Sequence, residues 1–181
     1  MCEPILPAPI GAGISFNAKL GLFHQNWAAI DLHTDFAIYK LLSITPLQAH
    51  LITSGMMFGR KARLLVDLVK HSSIKDKSQL LEPFNVISGA KRDMKTHSYC
   101  STNAIIVTFL ERSASNTFRA KEISFTLNEF HEHVDKVTRA AESFIAAINA
   151  SPEEILEFAG AALSLKRDGN VSDNHTDPHD P

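Results

Sequence analysis

From Thr126 onward the chain carries one unbroken helical signal. Thr126 is followed three residues later by Glu129, the pairing of a capping box, and Leu127, Phe130, Val134, Val137, Ala141, Phe144 and Ile148 then recur at steps of three and four. An apolar stripe of that length must be covered by other elements, so it commits the chain to packed helices. The same period runs from Ile14 to about Ile44 through Leu20, Phe23, Trp27, Ile30, Ala37 or Ile38 and Leu41, which predicts one long helix or two in line.

Other elements follow from local signals. Thr45 and Pro46 read as an N-cap and a first-turn proline opening a helix that runs through Leu51, Phe58, Ala62, Leu65 and Leu68 to about His71. After a polar connector, a third helix is expected from Gln79 to about Tyr99, burying Leu80, Leu81, Phe84, Ile87 and Met94. The period then changes. Ala104 to Glu111 and Thr117 to Phe125 are rich in Val, Ile, Thr and Phe around the turn-like Ser113-Ala114-Ser115-Asn116, which predicts a β-hairpin over about 104–125. Ser151 and Pro152 open a short last helix ending near Leu165. The expected fold class is mainly α: an antiparallel helical bundle with a β-hairpin inserted before the last long helix.

With 181 residues, 44% hydrophobic and 21% charged, the chain suits one domain. Residues 1–13, rich in Pro and Gly, read as an arm, 14–165 as the bundle, and 166–181 as a disordered polar tail. Cys2 and Cys100 cannot make a disulfide framework or a zinc ribbon. The long uncharged stretches, Pro4 to Ala18 and Leu41 to Gly59, are broken by proline, glycine or polar residues, and no Lys or Arg precedes Lys19. A protein without membrane contact, placed in the cytoplasm, is the expectation.

The net charge of -2 excludes a uniformly basic coat for nucleic acid, but the charge is segregated. Between Phe58 and Lys121 there are twelve Lys/Arg against five Asp/Glu, leaving six bases and fifteen acids elsewhere. Such a region is either a surface for phosphate backbones or a set of solvated helix flanks. Within it, Asp93 and His97 are four apart and meet on one helical face, where the carboxylate can orient the imidazole. Arg92, five before His97, joins them only if the helix ends or distorts near residue 97. The trio offers an acid/base, its orienting carboxylate and a guanidinium for a phosphate, with Lys91 and Lys95 as nearby cations. The other reading is an exposed helix end whose cations favour the helix dipole and do no chemistry.

Other residues carry less. Trp27 and Phe23 on one stripe read as core, and Met56 and Met57 as core or interface filling. Asp31, His33 and Asp35, like His131, Glu132 and His133, diverge around a helix, so neither triplet predicts a metal site. No phosphate-binding loop and no Gly-x-Ser-x-Gly occurs, and no cofactor is expected.

The string Arg92-Asp93-Met94-Lys95-Thr96-His97-Ser98-Tyr99 resembles the HEPN superfamily, whose signature is Arg, a polar residue, three to five others, then His. Ser98-Tyr99 extends it to the Arg-x4-His-x-Tyr form of toxins paired with nucleotidyltransferase antitoxins that modify the tyrosine. The resemblance loosely covers Ile14 to Ile148; the hairpin and the long first helix depart from the smallest toxin members. It implies a metal-independent endoribonuclease in which the RNA 2'-hydroxyl attacks the adjacent phosphate. His97 would serve as acid/base, Arg92 would stabilise phosphate charge, and Asp93 would hold His97. It also implies a homodimer that brings two copies of His97 to one cleft, and Tyr99 as a site for an antitoxin partner. The alternative is a dimeric helical binding or scaffold protein in which Arg92 and His97 are dispensable.

Overall fold

In the computed structural model, residues 10–103, 105–114 and 118–168 are described. The protein is mainly α, with helices α1 (Ile10–Leu42), α2 (Pro46–Thr53), α3 (Phe58–His71), α4 (Ser78–Ser88), α5 (Arg92–His97), α6 (Leu127–Ile148) and α7 (Pro152–Asp168). Three antiparallel strands, β1 (Tyr99–Thr102), β2 (Ile106–Ala114) and β3 (Phe118–Thr126), stand in the order β1-β2-β3.

The core follows from which stripes meet. α1 packs on α3 and α6, and α4 packs on α3 and α6, closing a ring of four helices. Phe23, Trp27, Ile30, Leu65, Val69, Phe84, Ile87, Val134 and Phe144 fill it, each at most 5% exposed. Polar pairs along the α1–α6 seam, Lys19 with Asp135 and Asn26 Nδ2 donating to Thr138 Oγ1 at 2.8 Å, match the two helices in register. The sheet closes one end, where Val107 and Phe109 of β2 are fully buried and Phe109 lies 6.0 Å from Phe130 and 6.4 Å from Phe16. A smaller cluster of Phe36, Ala49 and Phe158 joins α1 to α2 and α7.

Both predicted N-caps form. Thr45 with Gln48 and Thr126 with Glu129 make reciprocal capping boxes that satisfy first-turn N–H groups otherwise without intrahelical partners. α1 is a single helix, and it begins at Ile10, so the arm predicted over 1–13 is helical in its last four residues, while 1–9 lie outside the described residues. The helix predicted from Thr45 to His71 is two helices, parted at Ser54–Met57, because α2 turns its buried Ala49 to α7 while α3 turns Leu65 and Val69 to the ring. Gly55, a poor helix former, lies at the parting.

The third predicted helix is also two. α4 ends at Ser88, Lys91 adopts the left-handed conformation (φ 50, ψ 50), and α5 begins at Arg92. Tyr99, expected on that helix, instead opens a third strand paired to β2 in the register Tyr99 to Leu110. The hairpin itself is present, running over 106–126 in place of 104–125, with Glu111 opposite Lys121. Residues 115–117 of its turn lie outside the described residues. α7 continues to Asp168, three residues beyond the expected end, and the rest of the expected tail, 169–181, lies outside them as well. No helix among the described residues is long and apolar enough to cross a membrane.

Candidate functional site

The short α5 decides where the motif residues go. Because it contains six residues, Arg92 is its first and His97 its last, with Ser98 extended immediately after. The helix end required to bring Arg92 and His97 to one place is therefore present. Both, with Asp93 and Lys91, line a cleft of about 840 Å³.

The cleft has three walls. α3 contributes Phe58, Arg60 and Arg63, with Met57 just before it; α5 and the link before it contribute the motif; the hairpin contributes Glu111, Lys121 and Ile123. Trp27 of α1 forms part of the floor. Five cations (Arg60, Arg63, Lys91, Arg92, Lys121) thus face two carboxylates (Asp93, Glu111). Among the described residues, no ion pair engages Arg60, Arg63, Lys91 or Lys121, so their charge is available to an anion.

Arg92 is held from below. Its guanidinium lies 5.9 Å from the centroid of Trp27, whose ring meets Phe58 edge-on at 4.7 Å. A planar cation resting on a core aromatic keeps its orientation before any ligand arrives. Trp27 is 5% exposed and is core, as the stripe predicted; it also supports the site. Arg92 remains 37% exposed and can reach a phosphate.

Asp93 does not hold His97. Its Oδ1 lies 3.6 Å from Arg92 Nη1, and no hydrogen bond joins Asp93 to His97 among the described residues. Four-residue spacing aligns two side chains on a regular helix, but here the neighbouring guanidinium captures the carboxylate. His97 is exposed at the cleft.

Lys95 is not a surface cation. It is 4% exposed, its Nζ donates to the Ala90 carbonyl at 2.6 Å, and it sits 5.0 Å from the Phe23 ring centroid. Burial, aided by Lys91, pushes its ammonium down to about 8. Tyr99 lies on the edge strand β1 and is 63% exposed.

The residues taken as poor metal ligands have structural partners. Asp31 and Asp35 accept from Lys61 Nζ at 3.1 and 2.9 Å, His33 Nδ1 pairs with the Ala29 carbonyl, and His133 Nε2 donates to the Ala90 carbonyl at 3.3 Å. No three His, Cys, Asp or Glu side chains cluster as a metal ion requires among the described residues. Met56 is half-buried, whereas Met57 is 73% exposed at the cleft. Of the basic hairpin residues, Lys121 lines the cleft, Arg119 is exposed away from the lining, and the Arg112 side chain lies outside the described residues.

Sequence reading missed the contribution of α3 as a distinct wall. Arg60 and Arg63 are three apart at the start of that helix, a spacing that puts both on one face, but the break before Phe58 that presents them is tertiary. It also passed over His24, a half-buried imidazole three residues before Trp27, held below its ordinary range by burial and by the charge of Arg92. Comparisons with protein-family models, with characterised proteins and with solved structures found no match, so the site rests on its own geometry.

Proposed function

We propose that the protein is a HEPN-like, metal-independent endoribonuclease of the toxin or defence type. The observation that carries this reading is the convergence of Arg92 and His97, from opposite ends of α5, on one cleft with three further cations on its other walls and Lys91 beside the motif. In the proposed reaction His97 removes the proton of an RNA 2'-hydroxyl, which attacks the adjacent phosphorus. Arg92 stabilises the negative charge that accumulates there, and the departing 5'-oxygen takes a proton from a second imidazole. That imidazole is His97 of a second copy in a homodimer, which also doubles the cationic surface. Arg60, Arg63, Lys91 and Lys121 hold flanking phosphates, and the apolar part of the α3 wall at Phe58 and Met57 suits unstacked bases. Tyr99, exposed two residues beyond His97, is the proposed target of a nucleotidyltransferase antitoxin.

Purified protein is expected to cut RNA in EDTA and to leave 2'-deoxy substrates intact. Arg92→Ala and His97→Ala should each remove the activity with helix content unchanged by circular dichroism. Activity that survives in both variants overturns the reading in favour of a non-catalytic binding protein built on the same cleft.

A further inference from the structure

Lys95 is the buried charge that the cleft chemistry leaves unused. The residue is 4% exposed, and among the described residues no carboxylate pairs with its ammonium. Burying a cation under such conditions is unfavourable, and a methionine would fill the same space without that cost. What the amine supplies is a donor. Where α4 breaks off from α5, the carbonyl of the fully buried Ala90 accepts from Lys95 Nζ at 2.6 Å and from His133 Nε2 at 3.3 Å. The break itself is strained, since Lys91 is left-handed at φ 50.

We propose that Lys95 is the positioning residue of the Arg92 and His97 site: its buried amine, lying on the Phe23 ring and clipped to the Ala90 carbonyl, holds the α4–α5 break and so aims α5 into the cleft. The catalytic consequence rests on the nuclease reading, but the positioning does not. On one side of Lys95, α1 presents Phe23 to the amine and Trp27 to Arg92, so the two cations at i and i+3 of α5 each rest on an α1 ring. The titratable groups nearest the amine are Lys91 on the link and His133 on α6, which has Lys136 beside it, with His24 on α1 beside Arg92. All are bases.

The clip is therefore sensitive to alkali. As pH rises through about 8 the ammonium loses its proton, and with it the charge-assisted bond to Ala90 and the attraction to Phe23. A free lysine keeps its proton to about 10.4, so the unfolded chain binds more protons between these values and overall stability rises there. The same proton thus changes the contacts of the clip and raises overall stability.

Trp27 is the sole tryptophan and carries Arg92 on its face, so its emission reports the posture of α5. The experiment titrates that emission from pH 6.5 to 10 in the full-length chain. A single step near pH 8 is expected, absent in Lys95→Met and absent in Arg92→Met, which removes the reporter contact. Lys95→Met should retain helix content and lose on the order of tenfold to a hundredfold in RNA turnover, with KM little changed. The proposal is overturned if the wild type shows no step, or if the step persists in Lys95→Met. Should Lys95→Met fail to fold, a wild-type step that survives in Arg92→Met overturns it equally. A chain that cuts no RNA defeats the nuclease reading while the Trp27 titration still decides the role of Lys95.

Discussion

Asp93 lies 3.6 Å from Arg92, and among the described residues no carboxylate bonds to His97, which sets what each substitution should do. Asp93→Asn should leave RNA turnover within about threefold of wild type, in contrast to the loss expected of His97→Ala. A larger loss would show that the carboxylate serves the site after all. Elsewhere, Lys61 is 5% exposed and joins Asp31 to Asp35, whose carboxyl is raised by burial against the opposing pull of Lys61. Lys61→Met leaves the half-buried Asp35 without its cation and should cost about 1–3 kcal/mol, read from urea unfolding. His133, held low by burial and then by Lys95, stays neutral in the fold while an unfolded imidazole protonates near ~6.5. Stability should fall as pH drops below that value, and His133→Gln should blunt the fall. The motif residues were legible one by one; their supports were not, because the rings beside Arg92 and Lys95 belong to α1, about seventy residues away in sequence.

The elements divide into those set by local chemistry and those set by contact. The Thr126 and Glu129 cap opens α6 where the sequence predicts it, since both groups needed for it lie within four residues. Thr126→Ala should lower stability by about 1 kcal/mol. Glu129 is held below its usual range by the Thr126 N–H and hydroxyl, so this contribution is present above the unfolded carboxyl value and fades as acid titrates the folded one. The α4–α5 break is different. Lys91 is strained at φ 50, so Lys91→Gly should stabilise the chain by about 1 kcal/mol while weakening RNA binding through loss of a cleft cation. Thermal melting and RNA titration on the same variant separate the two effects. Neither the break nor β1 was readable from periodicity. Met94 fits the stripe that ends at Ile87, and four residues of strand acquire their hydrogen bonds only from β2.

Across the whole molecule, a net charge of -2 conceals a cleft with five cations on four segments. Binding of single-stranded RNA should therefore depend steeply on salt, and the double variant Arg60→Ala, Arg63→Ala should reduce the slope of log K against log salt by about 1.4. The sequence by itself determined the helical class, the Thr45 N-cap, the Thr126–Glu129 capping box, the hairpin and the segregation of basic charge, because periods, caps and composition act within a few residues. Only the tertiary structure decided that one arginine rests on a core tryptophan, that one lysine is buried instead of facing solvent, and that α3 supplies the opposite wall. Those outcomes depend on contacts between residues tens of positions apart, formed when the helix ring closes and strips water from one set of charges while leaving another exposed.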